Sequence, residues 1–149
     1  MDVIGDGETQ RRVISTPSQM LALGREIATW LGPGDLVILD GPLGAGKTTL
    51  TRGIGEGLGV RGAVTSPTFV IARFHPGPTP LLHVDAYRLV SLDELDDLDL
   101  EYDTAAAVTV VEWGSGRAEG LADGHLLISL VRHDDDTGSV SLTRIAGRG

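Results

Sequence analysis

The stretch "GPLGAGKTT" (41–49) carries the most specific chemistry in the chain. It fits G-x-x-x-x-G-K-[ST], with Gly41, Gly46, Lys47 and Thr48 at the required positions. In such a loop the backbone N–H groups turn toward phosphate oxygens and the positive end of the next helix reinforces them. The lysine reaches the β- and γ-phosphates, and the hydroxyl ligates Mg2+. The expected phosphate-binding set is therefore Gly41, Leu43, Gly44, Ala45, Gly46, Lys47, Thr48 and Thr49. Of the 12 basic residues, Lys47 is the only lysine. A composition rich in Arg, Ala, Gly and Asp explains why lysine is scarce. Position 47 is where arginine does not serve, because a compact ammonium fits the loop and a forked guanidinium does not.

A nucleotide-hydrolysing loop of this kind also needs a carboxylate near the metal, at the end of a neighbouring buried strand. "LLHVD" ends in Asp85 and "VTVVE" ends in Glu112. Either alone reads equally well as a strand-end acid facing water. Together they favour a shared metal and water site, with Lys47, Asp85 and Glu112 as the catalytic set and Thr48, Glu112 and Asp85 as the candidate metal ligands. "TSPTF" (65–69) follows where a γ-phosphate-sensing switch is expected, with Ser66 and Thr68, and also Thr65, as candidates; turn chemistry around a proline is the competing account. Trp113 and His83 read as core residues, and Arg88 as an exposed arginine.

The elements that must position these residues are marked by periodicity. "DLVILD" (35–40) is a buried strand leading into the loop, and Leu50, Ile54 and Leu58 behind it define one helix face, with Gly59 past its end. Gly53, Gly55 and Gly57 each cost about 1 kcal/mol against Ala in a helix. Either that helix packs very close to a neighbour or its end is loose. Upstream, "RRVIS" (11–15) reads as a strand and "TPSQMLALGREIATWLGPG" as a helix. Thr16 is its N-cap, Pro17 its first residue, Gln19 the capping-box partner, and Gly32–Pro33 its stop. Downstream, 64–74 and "LLHVD" flank the turn "HPGPTP" as a hairpin. "SLDELDDLDLEYD" (91–103) reads as a short helix and loop, "AVTVVEW" (107–113) as a buried strand, and "HLLISLV" with "SVSLTRI" as a terminal hairpin.

A length of 149 residues with 41% hydrophobic content suits one domain, and 4% aromatic content leaves the core to Leu, Val, Ile and Ala. The first ten residues are polar and Gly-rich and are expected to be mobile, with 11–149 forming a single domain. The fold class expected is α/β: a P-loop NTPase-like three-layer fold with a mixed, mainly parallel sheet and antiparallel hairpins. A net charge of −9 argues against a broad nucleic-acid or acidic-membrane surface, and the absence of cysteine excludes disulfides and thiolate metal sites. With no signal-like N-terminus and no long apolar run, a cytoplasmic location without membrane contact is expected.

Together "GPLGAGKTTLTRGI" (41–54), "TSPTFVI" (65–71), "LLHVDAYRL" (81–89), "LEYD" (100–103) and "VVEW" (110–113) resemble the TsaE (YjeE) family, in its order and spacing and over nearly the whole chain. The resemblance implies a Mg2+-dependent ATPase, releasing ADP, that serves the TsaB and TsaD proteins in threonylcarbamoylation of adenosine 37 of tRNA. Hydrolysis would reset that complex, and contact with tRNA would be indirect. It also implies that Lys47 and the 41–49 loop hold the phosphates, Thr48 and Glu112 face Mg2+, Asp85 positions or activates water, and Ser66 and Thr68 switch. After "EW" the family often has Pro and an acid, where this chain has Gly114 and Ser115.

Two other classes share parts of the pattern. A small-molecule kinase has a similar loop and size but needs an acceptor pocket and an arginine-bearing lid, which the scattered arginines do not outline. A nucleotide-sensing binding module would bind ATP or ADP and dock on a partner with turnover incidental. A GTPase reading fails on the guanine-reading N-K-x-D, since the chain has no Asn and no second Lys.

Overall fold

The computed structural model describes residues 7–41, 46–60, 72–85, 105–112, 124–132 and 138–145. Among them the chain runs β1 (Thr9–Ile14), α1 (Pro17–Ala28), β2 (Leu36–Asp40), α2 (Lys47–Leu58), β3 (Ala72–His75), β4 (Leu81–Asp85), β5 (Val108–Glu112), β6 (His125–Arg132) and β7 (Gly138–Ile145). The strands form one sheet in the order β1-β7-β6-β2-β5-β4-β3. Its centre, β6-β2-β5-β4, is parallel, as expected of apolar runs buried on both faces. Antiparallel pairs close both ends: β3 with β4 on one side, and β6 with β7 and β7 with β1 on the other. This is the mixed α/β sheet with flanking hairpins that the sequence predicts.

Local signals set the ends of α1. The Gln19 N–H donates to Thr16 Oγ1 at 3.1 Å, so Thr16 caps the helix as expected. The reciprocal bond is displaced by one residue: Gln19 Oε1 accepts from the N–H of Ser15, not of the cap itself, at 2.6 Å. The helix ends at Ala28, before the predicted Gly32–Pro33 stop. Trp30 and Leu31 continue it only as tight turns, donating to the carbonyls of Ile27 and Ala28, and their side chains pack on the core.

Gly53 and Gly57 of α2 serve close packing, as does Gly24 of α1. A methyl group on Gly24 of α1 would stand 2.5 Å from the carbonyl oxygen of Leu50 and 2.7 Å from the nitrogen of Ile54. One on Gly53 would run into the carbonyl oxygen of Leu21, and one on Gly57 would come within 2.5 Å of Ala28 Cβ. The two helices therefore cross with backbones nearly touching. The lost helix propensity is exchanged for van der Waals contact.

Both helices lie on one face of the sheet. Met20, Leu23 and Ile27 of α1 and Leu50, Ile54 and Leu58 of α2 join Val37, Leu39, Val110, Ile128 and Leu142 in a single cluster. Ile38, Leu82, Val84 and Val111, which alternate onto the opposite face, are as fully buried but stand outside that cluster.

Some boundaries differ from expectation. β1 begins at Thr9, so Thr9 and Gln10, placed by the sequence in a mobile terminus, pair with Thr143 and Leu142. Thr9 Oγ1 and Thr143 Oγ1 lie 2.9 Å apart. Cross-strand pairing, which leaves no signal in local composition, orders those two residues. β3 includes His75, and the segment 91–103 lies outside the described residues. No described helix is long and apolar enough to cross a membrane.

Candidate active site

The loop leaves β2 at Gly41 and re-enters helix at Gly46, whose φ of +96° lies in the left-handed region where glycine is at ease. Gly46 is the N-cap of α2 and, being glycine, offers no side-chain oxygen. Neither does α2 carry an acid in its first turn. Among the described residues no capping side chain serves the first N–H groups of this helix, and the positive end of its dipole favours an anion there. Lys47, the first residue of α2, is buried, and its Nζ donates to the carbonyl of Gly41 at 2.8 Å. The lysine thus spans its own loop. Thr48 and Thr49, in the same turn, are partly accessible.

Strand order brings the acids to this loop. β5 lies directly beside β2, and Leu39 is in register with Glu112. β4 lies on the far side of β5, and Asp85 is in register with Glu112. The ends of the three strands are thus level. Adjacent strands stand about 4.8 Å apart, which sets Glu112 one strand from the loop-bearing strand and Asp85 two.

Glu112 is 5% exposed, and its Oε1 has no hydrogen-bond partner among the described residues. His83, two residues before Asp85, is fully buried, and its Nε2 lies 3.5 Å from Glu112 Oε2. His75 of β3 is also buried. Its pKa is lowered, first by burial and then by the nearby His83 and Arg73, so the imidazole stays neutral below its usual titration range.

Of the residues singled out from the sequence, the structure brings together Gly41, Gly46, Lys47, Thr48, Thr49, Glu112 and the backbone of Asp85 at one end of the sheet. Leu43, Gly44, Ala45, Thr65, Ser66, Thr68, Arg88 and Trp113 lie outside the described residues. Sequence reasoning passed over the approach of His83 to Glu112. Its one signal was a polar residue in the middle of an apolar strand, two places before the acid.

The family model for "Threonylcarbamoyl adenosine biosynthesis protein TsaE" matches residues 14–140, from the end of β1 into β7. The chain belongs to the TsaE family. The TsaE protein of Streptomyces coelicolor is 61% identical over 123 residues, covering 79% of this chain and 82% of that relative. That of Mycobacterium tuberculosis is 50% identical over 127 residues, covering 77% and 76%. TsaE of Bacillus subtilis is 40% identical over 134 residues, covering 89% and 84%. The crystal structure of Bacillus subtilis YdiB superposes with a TM-score of 0.77 at 34% identity, over 93% of this chain and 87% of that one. The matched span of the TsaE model includes every element of the site described above.

Proposed function

We propose that this chain is a cytoplasmic Mg2+-dependent ATPase that acts with TsaB and TsaD in forming threonylcarbamoyladenosine on tRNA. The observation that carries the reading is the meeting of the start of α2, with Lys47 and no capping side chain, and the strand end bearing Glu112, at one end of the sheet's central strands. The names of the relatives supply the pathway.

The residues present fit Mg2+, a hard cation that takes oxygen ligands and retains water and phosphate in its shell. Thr48 and Glu112 are the candidate ligands, and the buried Oε1 of Glu112, without a hydrogen-bond partner among the described residues, is the acceptor a cation would satisfy. Bound Mg2+ would neutralise charge developing on the β- and γ-phosphates.

The rest falls to the chain itself. Lys47 exchanges the carbonyl of Gly41 for phosphate oxygens, moving its ammonium within the loop without entering water. The loop from Gly41 through Leu43, Gly44 and Ala45 to Thr49 cradles the phosphates with backbone N–H groups. Asp85, one strand farther out, orients the attacking water, and Ser66 and Thr68 sense the γ-phosphate. Hydrolysis releases ADP and changes the surface offered to TsaB and TsaD, resetting that complex. The chain from β1 onward acts as one ATPase domain.

The test is a reconstitution. ATP hydrolysis by the chain should be slow alone and faster with TsaB and TsaD, and repeated tRNA modification should require it. A non-hydrolysable ATP analogue, or the Lys47→Ala variant, should leave modification at a single round. If multiple rounds proceed without this chain, the reading fails. Phosphate appearing on an acceptor and not in solution would instead establish a kinase.

A further inference from the structure

β4 and β5 run parallel with His83 in register with Val110, so Glu112 lies one pleat farther along the same face. That relationship carries His83 Nε2 to 3.5 Å from Glu112 Oε2, with His83 fully buried. Among the described residues, both nitrogens of His83 and Oε1 of Glu112 lack hydrogen-bond partners. A buried polar group left unpaired loses its hydration with no bond in return, which is destabilising. Leu81, Leu82 and Val84 fill the neighbouring positions of β4 without that penalty. Packing alone therefore gives no reason for an imidazole here, and an unsatisfied buried group points to a functional one.

The contact is longer than an ordinary N–H···O bond. Contacts of this kind at reactive sites tighten when the site is loaded. We propose that His83 is a positioning residue for Glu112: its Nε2–H holds Oε2, leaving Oε1 as the free acceptor for the cation that accompanies the nucleotide. A glutamate carboxylate otherwise has a broad, weakly restricted last torsion, which a fixed donor on one oxygen narrows. An imidazole supplies one fixed donor from a short, stiff side chain. It projects from the strand that also ends in Asp85, so one strand sets both acids.

This inference rests on reading Glu112 as the carboxylate that faces Mg2+, and the experiment separates the two. Binding of the fluorescent analogue mant-ATP to the full chain is measured while Mg2+ is titrated, and again in EDTA. The amide nitrogen of Gln reaches the place of imidazole Nε2, whereas that of Asn reaches only Nδ1. His83→Leu and His83→Asn should raise the half-saturating Mg2+ concentration by about 10–100-fold, the usual effect of removing a residue that orients a metal ligand. They should leave binding in EDTA unchanged, and His83→Gln should stay near the wild type. In nucleotide-free protein labelled with 15N-histidine, His83 should carry its proton on Nε2, and its signal should move in Glu112→Gln.

Unchanged Mg2+ dependence in the Leu and Asn variants overturns the proposal. So does a loss as large in Gln as in Leu, or a proton on Nδ1. Should the Leu variant fail to fold, the Asn–Gln comparison and the 15N spectrum decide. If Glu112→Gln itself leaves the Mg2+ requirement unchanged, the reading of Glu112 falls and the positioning role with it. If Glu112→Gln raises the requirement and the His83 variants do not, only the positioning role is lost.

Discussion

Lys47 Nζ is hydrogen-bonded to the carbonyl of Gly41, six residues earlier, across the mouth of the loop that joins β2 to α2. If the loop binds phosphate as proposed, the ammonium is already held within the site, and a phosphate oxygen would take the place of this carbonyl. Preorganised charge of this kind needs little rearrangement when phosphate binds. Lys47→Ala should lower ATP hydrolysis by about 100-fold or more, the scale of losing one aimed donor. The far-UV circular dichroism spectrum should stay native. Wild-type hydrolysis by the folded variant would remove the loop from the mechanism.

Glu112→Gln keeps the shape and removes the charge next to the loop-bearing strand. Its main effect should be a higher Mg2+ requirement. Asp85→Asn, one strand farther out, should slow turnover more than it weakens nucleotide binding. Steady-state hydrolysis with varied Mg2+ and varied ATP separates the two. If both variants match the wild type in both series, the level strand ends are not a catalytic site.

Gly53→Ala reverses the usual helix rule. Alanine is favoured over glycine by about 1 kcal/mol in a free helix. Here its methyl group would meet the carbonyl oxygen of Leu21 in α1, a backbone atom that cannot turn aside. The variant should be less stable by about 1–3 kcal/mol, the range for overpacked sites. Urea unfolding checks this, and a stabilised variant would show that the two helices can separate at little cost.

His75 predicts an acid-side loss of stability. Its folded pKa is lowered from 6.5, mainly by burial, so the unfolded chain binds the proton more readily. The stability contributed by the neutral form is complete above 6.5 and is lost as the pH falls through the folded value. Replacing His75 by Leu should flatten the pH dependence of unfolding below 6.5. An unchanged slope would assign the acid sensitivity to other groups.

The sequence by itself determined the loop, the helix that follows it and the cap of α1, because each depends on residues within a few places of one another. Lys47 stood out as the candidate lysine because the sequence contains no other. Asp85 and Glu112 were legible as strand-end acids, but not their order about the loop. The tertiary structure decided that β5 lies between β2 and β4, so that Glu112 stands nearer the loop-bearing strand and Asp85 farther. Strand order comes from non-local pairing and from the helices packed on one face, neither of which is written in hydrophobic period. The same holds for Gly24 and Gly53, whose need for close approach appears only once α1 crosses α2. It holds also for His83: a single histidine in an apolar strand looks like filling until the parallel register sets it beside a buried carboxylate.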